Sequence, residues 1–263
     1  MSNPSQFYLQ HINATSSGFR ATWDPGLPLK IGDVVKLDSF GAVNVYSSLD
    51  KVGIVPEIRT DESTTDLDYS SGAGISITVK GAGTAPVTGS VLTDADAGFN
   101  LQFTTDKSIV FKIAGYKTLQ IINLGEIESF LLAKNKNGEW DKSWLIVTHL
   151  IVADTATIII ADKGNSSIDL HAKAAVGAGQ LKITDSSLGL TVARETGSTV
   201  NFIAQNGLTP LYKVMGLKSP LFGKTHLDVR EISKSNEEDT LSFAEFTMES
   251  SEPEMLTINE DDL

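Results

Sequence analysis

The chain has 263 residues, 41% of them apolar, which is enough for a sizeable core in one large or two modest domains. It has no cysteine, which excludes disulfides and thiolate metal sites and suits a reducing compartment. The net charge is −12, and Glu231 to Leu263 hold eleven acidic residues against one basic, Lys234. Residues 1–230, with 22 acidic and 20 basic residues, read as a nearly neutral body, and residues 231–263 as an acidic tail. No basic face dominates, so nucleic acid is not an expected partner. The opening stretch has no secretory apolar core, and no window holds eighteen consecutive apolar residues. The Asn-X-Ser/Thr triplets at Asn13 and Asn165 are therefore expected to be chance matches.

Pro4 to Ile12 predicts a short helix with Phe7, Leu9 and Ile12 on one side. Turn signals in "TWDPGLPLKIGDVVKL" precede a strand carrying Ile31, Val34, Val35 and Leu37. "GAVNVYSSLDKVGIVPEI" reads as strand, turn, strand, and "RTDESTTDLDYSSGAG" as a polar loop. Next comes a hairpin, Ser71–Lys80 against Gly98–Lys107. Ile75, Ile77 and Val79 share one face with Phe99, Leu101 and Phe103, and Ser76, Thr78 and Lys80 take the other.

After "SIVFKI", the spacing of Leu119, Ile122, Ile127, Leu131 and Leu132 predicts a helix over "GYKTLQIINLGEIESFLLAKN", stopped at Gly138. The nearly continuous apolar run from Leu145 to Val152 predicts a strand buried on both faces, with His149 as a hydrogen-bonded core residue. A second hairpin pairs Ser167–Gly177 with Leu188–Gly197, its apolar face built of Ile168, Leu170, Val176, Leu188, Leu190 and Val192. "GSTVNFIAQ" adds a strand with Val200, Phe202 and Ala204 on one face. The order is α+β rather than alternating β-α-β, which argues against a dinucleotide fold.

No catalytic constellation appears. His11, His149, His171 and His226 lack metal-ligand spacing, and "DADAG" fails as a calcium loop because position twelve from Asp94 is Thr105. The glycine pairs of "GAGTAP" and "GAGQ" lack a strand–GxGxxG–helix context, and there is no GxSxG or Walker lysine. An enzyme is not expected, nor a cofactor or a metal.

The second hairpin poses a question. In "IDLHAKAAVGAGQ" the apolar face shrinks to alanine and glycine fills the polar face near its end, which is weak for a core strand. One reading is a soluble sheet with one wet face, serving a binding or structural module; the pattern alone favours it. The other is a segment that leaves the fold, since about 9–11 alternating residues span a bilayer.

The order of motifs adds a resemblance. "SWLIVTHL…NFIAQ" resembles the gasdermin pore-forming domain: Val147-Thr148, Gly177 to Gln180, and Gly197-Ser198-Thr199-Val200 with Phe202 follow the family's order. "SGAGISITVKGAG" with "FNLQFT" resembles its first inserting hairpin, and "FLLAKNKNGEWD" the helix end that carries lipid-binding basic residues. The similarity spans residues 1–217. It implies an α+β, gasdermin N-terminal-domain-like fold: a central twisted, mostly antiparallel sheet with two long hairpins and flanking helices. It implies a pore-forming effector of regulated, pyroptosis-like cell death, of the kind used in innate immunity and allorecognition. A cytoplasmic form would relocate to the inner face of the cell membrane, bind acidic phospholipid and form a homo-oligomeric β-barrel. The two hairpin faces would be the inserting surfaces, and Lys134, Lys136 and Lys142 the lipid-binding residues. The chain's size resembles small fungal and bacterial members. The missing acylated cysteine favours the fungal-like kind, and residues 1–19, without Lys or Arg, offer no basic first helix.

Three readings of the tail stay open. It is a solubilising end, an autoinhibitory latch pinned by Phe243, Phe246, Met255 and Leu256 and removed by an activating protease, or a bystander in a protein triggered by a divergent partner gasdermin.

Overall fold

The computed structural model describes residues 4–16, 18–23, 28–71, 74–174, 181–218 and 242–245. In chain order the elements are α1 (Pro4–Thr15), β1 (Arg20–Ala21), β2 (Asp33–Leu37), β3 (Val43–Ser48), α2 (Leu49–Val52), β4 (Ile58–Ser70), β5 (Ile75–Lys80), β6 (Gly98–Phe103), β7 (Ser108–Ile121) and α3 (Leu124–Lys136). They continue with β8 (Leu145–Ala161), β9 (Ser166–His171), a 3-10 turn (Ser186–Leu188), β10 (Thr191–Thr196), β11 (Thr199–Asn206), β12 (Leu211–Lys218) and β13 (Ser242–Glu245). The fold class is α+β, and the strand pairings are antiparallel.

Among the described residues the strands form one sheet of nine and one of four. The 17-residue β8 is the spine of the larger sheet. β7 pairs along most of it on one side, and β11 and β12 share the other. Its continuous apolar run is explained by cover on both faces. Ala156, Ile158 and Ile160 join Ile109, Phe111 and Ile113 of β7 beneath Tyr8, Leu9 and Ile12 of α1. The alternate residues Ile159 and Ala161, with Val110, face the opposite way into the core of the four-stranded sheet. Toward the Leu145 end, Val147 and Val214 pack with Val35 and Tyr212 on one face. On the other, Ile146 packs with Val34, Leu49 of α2, and Ile127, Leu131 and Trp140 in and after α3.

A crease crosses the larger sheet. β4 slips register against β7 between Asp61 and Leu67. At the same height Gly115 of β7 has φ +62, and a Cβ there would come within 2.3 Å of Asp154 Oδ2 on β8. The Gly115 N–H donates to Asp66 Oδ1 at 3.0 Å. Glycine is required here by both conformation and space.

Several expectations change. Residues 59–70 are not a loop but most of the 13-residue β4, exposed along almost its whole length. An edge strand that turns only Leu67 and Tyr69 to the core carries little alternation to read; its ladder to β7 forms it, with Arg59 bonding Gln120 and Lys117 pairing with Glu62 across the two strands. The helix expected from Gly115 begins at Leu124, and residues up to Ile121, including Leu119, remain in β7 because β4 and β8 pair them on both sides. The turn after β3 is the one-turn helix α2. In β11 the Val200–Phe202–Ala204 alternation breaks at a bulge, where Ala204 has φ +45.

Candidate functional site

The two hairpins lie side by side. β5–β6 and β9–β10 form the four-stranded sheet in the order β10-β9-β6-β5, although 62 residues separate the end of β6 from the start of β9. Phe99 opposes Leu170, Asn100 opposes Asp169, and Leu101 opposes Ile168. Residues opposed across a ladder share a face, so the inner face is Phe99, Leu101, Phe103, Ile168 and Leu170, all at most 2% exposed. It packs on Val110, Ile159 and Ala161 of the larger sheet, with Ala172, Ile183 and Leu188 closing the rim. β6 and β9 approach closely at Gly98, where a Cβ would sit 1.9 Å from the Leu170 carbonyl oxygen.

The hairpin residues fall into groups. The apolar side chains of the central strands are fully buried, so their apolar faces are not the loosely packed surface that their small residues suggest. Ile75, Ile77 and Leu190 are half-buried, and Val79 and Val192, on the outer strands, are 52% and 40% exposed. Lys80, expected on the wet side, is 2% exposed, because residues 81–97 fold over it and Asp96 O accepts its Nζ at 2.6 Å. Both ladders are shorter than the patterns. Hairpin 1 pairs Ile75–Lys80 with Gly98–Phe103, and hairpin 2 pairs Ser167–His171 with Thr191–Thr196. Leu188 ends the 3-10 turn and Leu190 precedes β10 rather than lying in it. Val176 and Gly177 to Gln180 lie outside the described residues. A cavity of about 270 Å³ opens at the seam between the layers, walled by Leu67, Ile77, Val79, Phe99, Ile113 and Ile183. The ion pairs Lys112–Asp68 and Lys182–Asp66 stand beside it.

The candidate lipid-binding lysines are elsewhere. Lys134 and Lys136 occupy the last turn of α3, where cations favour the helix dipole. Lys134 pairs with Glu139 and lies over the Phe130 ring at 5.7 Å, while Lys136 and Lys142 are exposed. Asp141, next to Lys142, bonds Lys36 at 2.9 Å, and Trp140 and Trp144 meet edge to face at 5.2 Å. The α3 core touches β8 at Ile146 and the hairpin core at Ile159, about 40 Å further along the strand. The structure therefore brings the two hairpins together and keeps the lysines at the opposite end.

Of the tail anchors, Phe243 lies in β13 opposite Leu217 of β12. Phe246, Met255 and Leu256 lie outside the described residues. β13 covers Met215–Lys218 on the edge of β12 that β1 covers at Leu211–Tyr212.

Sequence reasoning missed Asn100 and Asp169. Both are 2% exposed and sit where alternation assigns a wet face. Their burial depends on residues 81–97, which leave no periodic signal. Within that segment "DADAG" is a turn, with Asp96 Oδ2 accepting from the Thr93 N–H and hydroxyl. His149 is half-buried on β8, its Nδ1 3.3 Å from Thr148 Oγ1. Among the described residues no group of three or more His, Asp or Glu side chains is placed to hold a metal. No described helix is long and apolar enough to cross a membrane.

The chain is similar to two solved gasdermins. A bacterial gasdermin from Bradyrhizobium tropiciagri aligns over 78% of this chain and 85% of that one, at 18% identity and a TM-score of 0.33. The gasdermin A3 membrane pore aligns over 82% and 85%, at 10% identity and a TM-score of 0.27. No family model matches the sequence, and no curated protein sequence matches it.

Proposed function

We propose that this chain is a membrane pore-forming protein of the gasdermin kind, a cell-death effector. In this reading a cytoplasmic form binds acidic lipids at the inner face of the membrane, self-associates, and inserts both hairpins of each copy into a β-barrel. The observation that carries it is the mismatch between pattern and ladder in hairpin 2. The paired strands are six residues each, about 20 Å, against a hydrocarbon core of about 30 Å. The alternation runs on through Ala172 and Ala174 on one strand and back to Leu188 on the other. Lys173 N and Ala174 N already donate to Leu188 O, at 2.9 and 3.2 Å. Ala174 is exposed in the resting fold, so extending the ladder past it sacrifices little packing.

Lys136 and Lys142 are the exposed cations for an anionic surface, with Lys134 behind them in its pair with Glu139. Residues 1–230 act as the pore-forming body and residues 231–263 as the restraint. β13 shields an edge of β12 that otherwise offers unpaired backbone groups to another copy. The test uses the full chain with a protease site placed within residues 230–240. Dye release from vesicles containing phosphatidylserine should appear on cutting and be absent from neutral vesicles. Equal release before cutting removes the tail as restraint. Release that needs a second, divergent gasdermin assigns the trigger to association. No release under any of these conditions leaves a soluble β-rich binding module.

A further inference from the structure

Asp169 is a carboxylate in the middle of β9, 2% exposed, and its partners come from the other hairpin. Its Oδ1 accepts from Asn100 Nδ2 of β6 at 2.6 Å and from Ser90 Oγ at 2.8 Å. Its Oδ2 accepts from the Val91 N–H at 3.0 Å. Ser90 and Val91 belong to residues 81–97, which join β5 to β6 and close over the outer face of the layer. Two further ties follow the same line: His171 Nε2 lies 3.1 Å from Asp96 Oδ1, and Ala172 N donates to Ala97 O at 2.9 Å. Bonds to an ionised carboxylate are the stronger kind.

The seam beneath the layer is different in character. The four strands share no ladder with the larger sheet. They meet it through apolar contact around the 270 Å³ cavity. At the margin Thr157 Oγ1 donates to Ile183 O and Lys182 pairs with Asp66. Directional bonds thus run between the hairpins, and mostly non-directional contact holds them to the body.

We propose that Asp169 is a coupling latch, fastening the connecting segment of hairpin 1 to the first strand of hairpin 2 so that both hairpins leave the body as one four-stranded unit. The proposal rests on the reading of the hairpins as moving parts. Lifting hairpin 1 alone breaks all three bonds to Asp169 together with the β6–β9 ladder. Lifting the layer whole keeps them and opens only the apolar seam. After release the carboxylate is free to exchange its protein donors for water.

The test needs no membrane. Amide hydrogen exchange of the full chain should show hairpins 1 and 2 opening with one common rate. Asp169→Asn, which turns an amide NH₂ toward donors, should split them, with hairpin 1 exchanging about tenfold faster than hairpin 2. The chain has no cysteine, so Ser90→Cys with Asp169→Cys gives a clean pair. Oxidised, it should restore a common rate; reduced, it should behave as Asp169→Asn. Separate rates in the wild type, equal acceleration of both hairpins in Asp169→Asn, or identical exchange of the oxidised and reduced pair would each overturn the latch. Failure of the pore reading is distinguishable: common opening persists while no vesicle leaks.

Discussion

The two ends of β8 are covered by different chemistry. At the α3 end, the cover is large and apolar: Ile127, Leu131, Trp140, Leu49 and Leu217 close over Ile146. At the hairpin end, the core sets Phe99, Leu101, Phe103, Ile168 and Leu170 among small residues, Ala97, Ala161 and Ala172. The layer above it is cross-tied by buried polar groups: Asn100, Asp169 and Lys80. Apolar burial contributes about 25 cal/mol for each Å² and has no substitute in water. A protein hydrogen bond is replaced by water on opening, at a net cost of about 1 kcal/mol. Apolar burial thus holds the cover to β8 at both ends; the hairpin end differs in that its buried polar groups tie the layer to itself and not to the sheet below.

The largest expected effect tests that contrast directly. Leu131→Ala and Leu101→Ala each empty a fully buried site, and each should cost about 2–5 kcal/mol. Hydrogen exchange distinguishes them. Leu131→Ala should accelerate exchange throughout the larger sheet, whereas Leu101→Ala should act on the hairpin layer and spare β12. Uniform acceleration by both would merge the two ends into one cooperative unit.

Val79 and Val192 sharpen the comparison from the membrane side. Being exposed in the resting fold, Val79→Lys and Val192→Lys should change unfolding stability by no more than about 0.5 kcal/mol in urea titrations. In a barrel wall each Lys facing lipid near the midplane costs about 2–4 kcal/mol per copy, so dye release should be lost. Unchanged release would remove these strands from the wall.

The lysines give a smaller effect. Lys136→Glu with Lys142→Glu should weaken binding to anionic vesicles by about 1 kcal/mol or more for each residue in co-sedimentation, and added salt should weaken the wild type in the same direction. Lys134→Glu should matter less to lipid, because Glu139 already engages that side chain. Equal binding to neutral and anionic vesicles would make all three a solvated helix end.

The smallest effect is a pH dependence at the α3 end. Hydrogen bonds from Lys36, then from Ser143, hold the Asp141 carboxyl down to about 2 from an ordinary 3.8. A depressed carboxyl pKa stabilises the fold above its unfolded value and loses that contribution as pH falls through the folded one. Asp141→Asn should thus be less stable than the wild type near neutral pH. The gap should close between about 4 and about 2 in paired denaturation curves. A gap that persists below that range would place the contribution in packing instead of charge.

Some of this was legible in the residues. The nearly continuous apolar run from Leu145 to Val152 announces cover on both faces. The period of two in Ile75–Val79, Phe99–Phe103 and Ile168–Leu170 fixes which side chains share a face. The concentration of acid after Glu231 separates body from tail in charge. Local spacing carries such information because each pattern follows from the geometry of its own strand or helix.

What tertiary structure alone decided involves partners far away in the chain. β4 alternates only at Leu67 and Tyr69 and exists because β7 pairs with it. Residues 116–120 are a strand despite apolar spacing that suits a helix, because β4 and β8 flank them on both sides. The pairing of β6 with β9 makes one layer of two hairpins. Only the closure of residues 81–97 over that layer turns Asn100, Asp169 and Lys80 from apparently wet positions into buried ones. A sequence pattern reports which face a side chain takes, but whether that face meets water depends on what the rest of the chain lays against it.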